Sequence, residues 1–551
     1  MSRIRIGRTA GVALLAALAV LLAACTPSPA PDGGRIGTWN RPAPSQTTTA
    51  PSGSFTLPTP ASTYSSPTSP DRQAADFDPN LRVPGMTDPP PGSGYDRYLT
   101  QRVKWGDCDS LSRGTQCATV LAPLDWQNPD GTAITLSMKR LTATTSLADP
   151  ASPDLFINPG GPGGSAMDYV DDFNTTGLTG FNIIGLDPRG SGESTPVVCG
   201  TTAQIDAYFN LNAAPTTDAG KQALIDGSRQ FADQCRQNSG VLLDHISTIE
   251  AVYDFDLVRQ LLGDAKFNWM GTSYGTFIGA VYLELYPQNA GRMILDAAVN
   301  ITQDTSVSQA AGFELALHKY AQWAATKGYG GNTEDAVIKT ITDFTDSLAA
   351  NPIKVGSRTL TQSLFVGGLA MFMYVGTSAY TSLASVLDLT MNKRNGTYML
   401  QAADAMNDRD TNGYGSLATA FPAILCLDQA DAGLADEFDQ WQKDSAASPY
   451  FGTYMGPDTT CPTWTALPAA QIDFHGAGDP AFLVIGGTGD NATPYQYAQW
   501  MAQQMPSAVL VTRDGVGHGS YDSGSSCIDN IVRSFLADGA VPAAGTVCQM
   551  D

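Results

Sequence analysis

Short, continuous apolar runs alternate with amphipathic stretches along most of this chain. Ala118–Leu121 and Ile134–Met138 flank the turn sequence Asn128-Pro-Asp-Gly131, which predicts an opening hairpin. Further runs follow at Asp154–Ile157, Phe181–Leu186, Met293–Leu295, Phe482–Ile485 and Val509–Val511, each ending in a loop rich in Gly or Asp. Between them lie helical patterns such as Thr248–Leu262 and Tyr274–Tyr286. Strands apolar on both faces and separated by helices predict an α/β fold with a mostly parallel sheet, its functional loops at the carboxyl ends of the strands. From Ile301 to Ala470 the pattern becomes one of amphipathic helices, including Glu314–Ala325 and Leu364–Leu389, with few parallel-strand signals. Beyond the N-terminus no apolar span reads as long enough for a membrane helix.

The N-terminus reads as an export signal over residues 1–24. Arg3, Arg5 and Arg8 form a basic start, and Gly11 to Val20 opens an apolar stretch. Leu22-Ala-Ala-Cys25 resembles a bacterial lipobox, so Cys25 is expected to carry a lipid on the outer face of the cytoplasmic membrane, unless the protein is released. Residues 25–94 are rich in Pro, Ser, Thr and Gly and lack apolar periodicity, which predicts a flexible tether, with folding from about Tyr95. Nine cysteines less Cys25 leave eight, an even number in an exported chain. Proximity favours Cys108–Cys117, Cys199–Cys235, Cys426–Cys461 and Cys527–Cys548.

Composition narrows the partners. With 551 residues, 42% of them hydrophobic, the chain can bury a large core, and a formal net charge of -22 argues against nucleic acid. The four histidines are scattered without metal-ligand spacing, and no phosphate-cradling loop occurs, so neither metal nor organic cofactor is expected.

Chemistry concentrates around Phe267–Thr276, an apolar strand turning through Gly271-Thr-Ser-Tyr-Gly275 into a helix. This is the G-x-S-x-G pattern of a nucleophile elbow, with Ser273 at the turn. A serine needs a base to take its proton and an acid to orient that base. In this kind of fold they follow it as Ser, Asp or Glu, then His. Of the histidines after Ser273, His318 lies in a helical pattern and His475 precedes a strand. His518 sits in a glycine loop after the last long apolar run. Asp490, ending the run that starts at Phe482, is the first choice of acid, and Asp296 the second. The loop Asn158-Pro-Gly-Gly-Pro-Gly-Gly-Ser165 can converge backbone N–H groups on an oxyanion, with Gly161 and Tyr274 as the expected donors. Asp187-Pro-Arg189 is expected to fix neighbouring loops.

Taken in order, Asn158–Ser165, Asp187–Gly192, Gly271–Thr276, Gly489-Asp-Asn-Ala-Thr-Pro494 and Gly515-Val-Gly-His518 resemble the secreted tripeptidyl aminopeptidases. These are relatives of the proline iminopeptidases among the α/β-hydrolases. The tail from Cys527 to Cys548 looks like that family's C-terminal segment, and the likeness spans about Cys108 to Cys548. It implies a hydrolase core at 95–300 and 471–551 interrupted by a helical cap at 301–470. It also implies serine-dependent release of short peptides, typically tripeptides, from free N-termini. The substrate ammonium would need a carboxylate at the closed end of the cleft, for which Glu314 and Asp428 are candidates. Two other readings stand beside this one: an esterase or lipase with the same triad, and a non-catalytic binding lipoprotein.

Overall fold

The computed structural model describes residues 56–64, 68–108, 114–145, 153–429, 431–476 and 478–551. The expected signal segment and Cys25 lie outside the described residues. A ten-stranded sheet forms the centre. Its strands are β1 (Gly106–Asp107), β2 (Thr115–Pro123), β3 (Ala133–Leu141), β4 (Asp154–Asn158), β5 (Asn182–Leu186), β6 (Phe267–Thr272), β7 (Ala290–Asp296), β8 (Phe482–Gly489), β9 (Ala508–Val516) and β10 (Thr546–Gln549). Their order across the sheet is β10-β9-β8-β7-β6-β4-β5-β3-β2-β1. β1, β2, β3 and β5 pair antiparallel, and every pairing from β5 through β4 to β10 is parallel.

The side-chain alternation of a strand explains how both faces are filled. Phe156, Phe482 and Val484 enter one apolar cluster with Val252, Phe255, Ile278 and Tyr282. Leu155, Ile157, Leu483 and Ile485 enter the opposite one with Val170, Ile528 and Val532. The covering helices are α1 (Ala166–Asp172), α2 (Thr248–Leu262) and α3 (Tyr274–Leu285), with Ser526–Asp538 at the end of the chain. α2 matches its predicted span because Ser247 caps its start, accepting from Glu250 N–H, and Gly263 ends it in a left-handed turn.

Between β7 and β8 lies a third apolar cluster, built from α4 (Gln309–Lys327), Glu334–Ala350, α5 (Gln362–Val375), Tyr380–Asn392 and Thr397–Met406. The single helix predicted over Leu364–Leu389 is in fact two, joined by a 3-10 turn at Gly376–Ala379. Taken as one run, 362–392 is long and apolar enough to cross a membrane, contrary to the expectation of no such span; 61% of its most apolar window is buried within the protein, as in a core helix. A later helix of the segment, α6 (Leu417–Asp428), buries Ala420, Ala423, Ile424 and Leu427 against the main core instead.

The predicted tether needs correction. Thr63–Tyr64 pairs with Gln471–Ile472, Leu57 packs on the main core, and Val83 is buried. Arg72 is buried against Asp431 and also donates to the carbonyls of Cys426 and Ala466. The described residues between 56 and 94 therefore form a strap against the folded body. Proline-rich sequence lacks regular periodicity, but one buried guanidinium with four acceptor contacts can hold it down. All four expected disulfides are formed: Cys108–Cys117, Cys199–Cys235, Cys426–Cys461 and Cys527–Cys548.

Candidate active site

Ser273 stands between β6 and α3 with φ 58 and ψ -125, a conformation few non-glycine residues adopt. Three bonds hold it there. Ser273 N–H donates to Asp296 O at 2.9 Å, while Ser273 O accepts from Thr276 N at 2.8 Å and from Thr276 Oγ1 at 2.6 Å. A side chain at Gly271 would meet Gly275 O at 2.2 Å, so strand and helix can approach this closely only without a Cβ.

The glycine loop after β4 lies directly against this turn. A Cβ on Gly160 would sit 2.9 Å from Ser273 Cβ and 3.0 Å from Tyr274 N. Gly160 N–H is already donated to Asn158 Oδ1 at 2.9 Å, and Gly160 O accepts from Gly164 N–H at 3.2 Å. Among the described residues no protein acceptor takes Gly161 N–H. Tyr274 N–H, on the first residue of a helix, has no carbonyl one turn back to bond. Neither expected oxyanion donor is thus claimed by another group, and the loop that carries Gly161 lies against Tyr274 through Gly160. The far end of the loop is fixed by Asp187, which is buried and accepts from Met167 N–H, Ser165 Oγ and Glu193 N–H. Arg189 is paired with both oxygens of Asp254 at 2.7 Å and also donates to Leu124 O and His245 O. Neither group faces the chemistry.

Asp490 and His518 meet at the carboxyl ends of β8 and β9. His518 Nδ1 lies 2.8 Å from Asp490 Oδ1 and 3.1 Å from Oδ2. The carboxylate also accepts from Ala492, Thr493 and Gly519 N–H groups, so it is fixed as an acceptor. Nδ1 thereby carries the proton, and Nε2 is the nitrogen available as a base. Burial alone would push the imidazole pKa down, but the Asp490 charge and hydrogen bond, with Asp296 behind, more than offset it and raise it.

Asp296, the alternative acid, has another task. Its Oδ2 accepts Ser520 and Tyr521 N–H groups at 2.9 Å, while its carbonyl holds Ser273 N–H. One residue thus clamps the histidine loop to the serine turn. A Cβ on Gly519 would lie 3.7 Å from Thr272 Cγ2, which brings the two loops into contact.

Two groups beside His518 were not foreseen. Tyr374, near the end of α5, accepts His518 N–H on its carbonyl at 3.0 Å and sets its ring edge-on at 5.3 Å between centroids. Thr493 Oγ1 lies 3.5 Å from His518 Nδ1. The Asn-Ala-Thr after Asp490 was a usable signal for Thr493; nothing local marks Tyr374, which lies more than a hundred residues away. The remaining histidines are occupied elsewhere: His245 faces Glu250, His318 faces Glu334, and His475 faces Asp473 and Glu284.

The two carboxylates considered for a substrate ammonium differ sharply. Glu314, on α4, is buried and accepts backbone N–H groups from Tyr450 and Phe451, which fills it with structural bonds and corrects its expected role. Asp428, at the end of α6, is part-exposed and accepts Thr248 N–H at 2.9 Å and Thr248 Oγ–H at 2.5 Å.

Comparison with known proteins identifies the fold and the family. Residues 153–333 match the family model for the alpha/beta hydrolase fold, and residues 448–548 match that for TAP-like protein. The chain is 31% identical over 487 residues to serine protease Hip1 of Mycobacterium tuberculosis, covering 82% of this chain and 91% of that protein. The chain belongs to the TAP-like family of α/β-hydrolases. Other relatives are tripeptidyl aminopeptidase of Streptomyces coelicolor, 26% identical across 81% of this chain and 86% of its own, and carboxylesterase B of Mycobacterium tuberculosis, 32% identical across 83% and 92%.

Proposed function

We propose that this serine peptidase releases short peptides, tripeptides foremost, from free N-termini through an acyl-enzyme on Ser273. The coarser activity follows from the family, whose members include a serine protease and a tripeptidyl aminopeptidase. The observation that carries the reading is the Asp490–His518 pair at 2.8 Å on the loop that Asp296 ties to the serine turn. In the reaction His518 Nε2 takes the proton of Ser273 Oγ as it attacks the scissile carbonyl. Asp490 stabilises the imidazolium and keeps its tautomer. Gly161 and Tyr274 N–H groups donate to the developing oxyanion, and His518 then protonates the departing amine. Water repeats the sequence on the ester, returning Ser273 and the peptide acid.

In this reading the segment 301–470 is a cap. It touches the machinery where Tyr374 O holds His518 N–H and where Gln309 Nε2 donates to Ala492 O at 2.9 Å. The name of the carboxylesterase relative keeps ester hydrolysis as the second reading. Mass spectrometry of products from an unblocked decapeptide separates the two. Successive tripeptides, absent with Ser273→Ala, are expected. Intact peptide alongside rapid turnover of a simple acyl ester would sink the exopeptidase assignment.

A further inference from the structure

α6 is buried along most of its circumference, yet Leu417, Phe421, Leu425 and Asp428 are not, and Phe421 is 40% exposed. Their spacing puts these four on one helical face. That face begins over the catalytic loop: a Cβ on Gly161 would lie 2.8 Å from Leu417 Cδ1, and Ser416 Oγ donates to Gly163 O at 2.7 Å. It ends at Asp428 beside Thr248, the first residue of α2. Because α2 runs back from the carboxyl edge of the sheet, its first residue lies at the same edge as Ser273.

We propose that the open face of α6 is the wall along which the acyl part of the substrate lies, with Leu417, Phe421 and Leu425 against its side chains and Asp428 receiving its N-terminal ammonium. This rests on the exopeptidase reading and deepens it.

The hydrogen-bond chain supports the placement. Tyr274, whose N–H is an oxyanion donor, bonds through its hydroxyl to Thr248 Oγ1, which donates to Asp428 Oδ2. A threonine hydroxyl has one proton, so Tyr274 must donate in turn, and the chain ends on a carboxylate that only accepts. An extended tripeptide spans about 10 Å from its nitrogen to its last carbonyl. One tyrosine side chain and two hydrogen bonds separate the oxyanion donor from Asp428 by about 12 Å at most. That upper bound leaves room for three extended residues. Asp428 also lacks a countercharge: among the described residues no lysine or arginine pairs with it, and burial together with Glu250 pushes its carboxyl up to about 7. An incoming ammonium supplies the missing cation.

The test is the ratio of kcat/KM for a tripeptidyl amide with a free amine to that for its N-acetyl form, in wild type and in Asp428→Asn. Wild type should favour the free amine, and the substitution should lower the ratio roughly tenfold to a hundredfold, mainly through KM. An unchanged ratio in a protein that still requires a free amine overturns this assignment alone. A wild type indifferent to acetylation overturns the exopeptidase reading with it. Should Asp428→Asn fail to fold, Phe421→Ser at its exposed site is read instead. Loss of preference for apolar over polar residues in the released peptide supports the wall, and an unaltered preference refutes it.

Discussion

In the proposed mechanism His518 acts only as the neutral imidazole, so its raised pKa sets the acid limb of activity. On a simple acyl ester, which offers no ammonium to Asp428, log kcat/KM should climb with pH through a single ionisation above the ordinary histidine value and then level off. Asp490→Asn removes the charge that raises it. That limb should move to lower pH, while kcat drops by about 10⁴ because the tautomer is no longer enforced. A limb that stays in place would mean that another group governs it. At Gly160, φ is +93 and a Cβ would meet Thr272 O at 2.5 Å, so Gly160→Ala must push the loop off the serine turn. We expect a loss of about 10²–10³ in kcat, the cost of a misplaced oxyanion donor, together with a lowered melting temperature, because Ala is strained at this φ. At this scale the motif residues were readable because their backbone demands are local: a glycine turn, a serine elbow, an aspartate ending a strand. The division of labour between Asp490 and Asp296 was settled by three-dimensional neighbours, and so was the occupation of Glu314 by Tyr450 and Phe451.

Among the elements, the N-terminal strap carries the clearest energetic claim. Arg72 and Asp431 are both almost wholly buried, so removing one partner strands the other's charge. Arg72→Ala should destabilise the protein by about 3–5 kcal/mol in urea unfolding, and Arg72→Lys should recover only part, lacking the fork geometry. An unchanged midpoint would detach the strap from the folded body. The Cys426–Cys461 bridge, spanning 35 residues, anchors α6 from the other side. Replacing both cysteines by serine should cost about 3–4 kcal/mol. Strands and helices were legible here wherever periodicity was strong, as in α2 and β8. The strap was not, because its hold depends on a few long-range polar contacts. The break between α5 and Tyr380–Asn392 escaped for a related reason: it follows the His518 loop, to which Tyr374 contributes its carbonyl.

Across the whole molecule, several carboxyl groups are held above their usual range by burial: Asp187 at about 6, and Glu437 and Asp479 at about 7. A carboxyl with a raised folded pKa binds its proton more tightly when folded. Its contribution is complete below about pH 4 and is lost as pH rises through the folded value. With a net charge of -22 adding self-repulsion, the melting temperature should fall between about pH 5 and pH 8, and salt should restore part of it. A melting temperature rising steadily across that window would contradict these shifts.

By itself the sequence determined the layered α/β architecture, the elbow at Ser273, the order in which acid and histidine follow it, and the cysteine pairs, since each depends on spacing along the chain or on neighbouring residues. Tertiary structure alone decided which acid touches His518, which carboxylates are filled by backbone N–H groups, how far the strap is folded, and which face of α6 stays open. Those outcomes depend on groups far apart in sequence being brought within hydrogen-bond or van der Waals reach, and no local pattern encodes that distance.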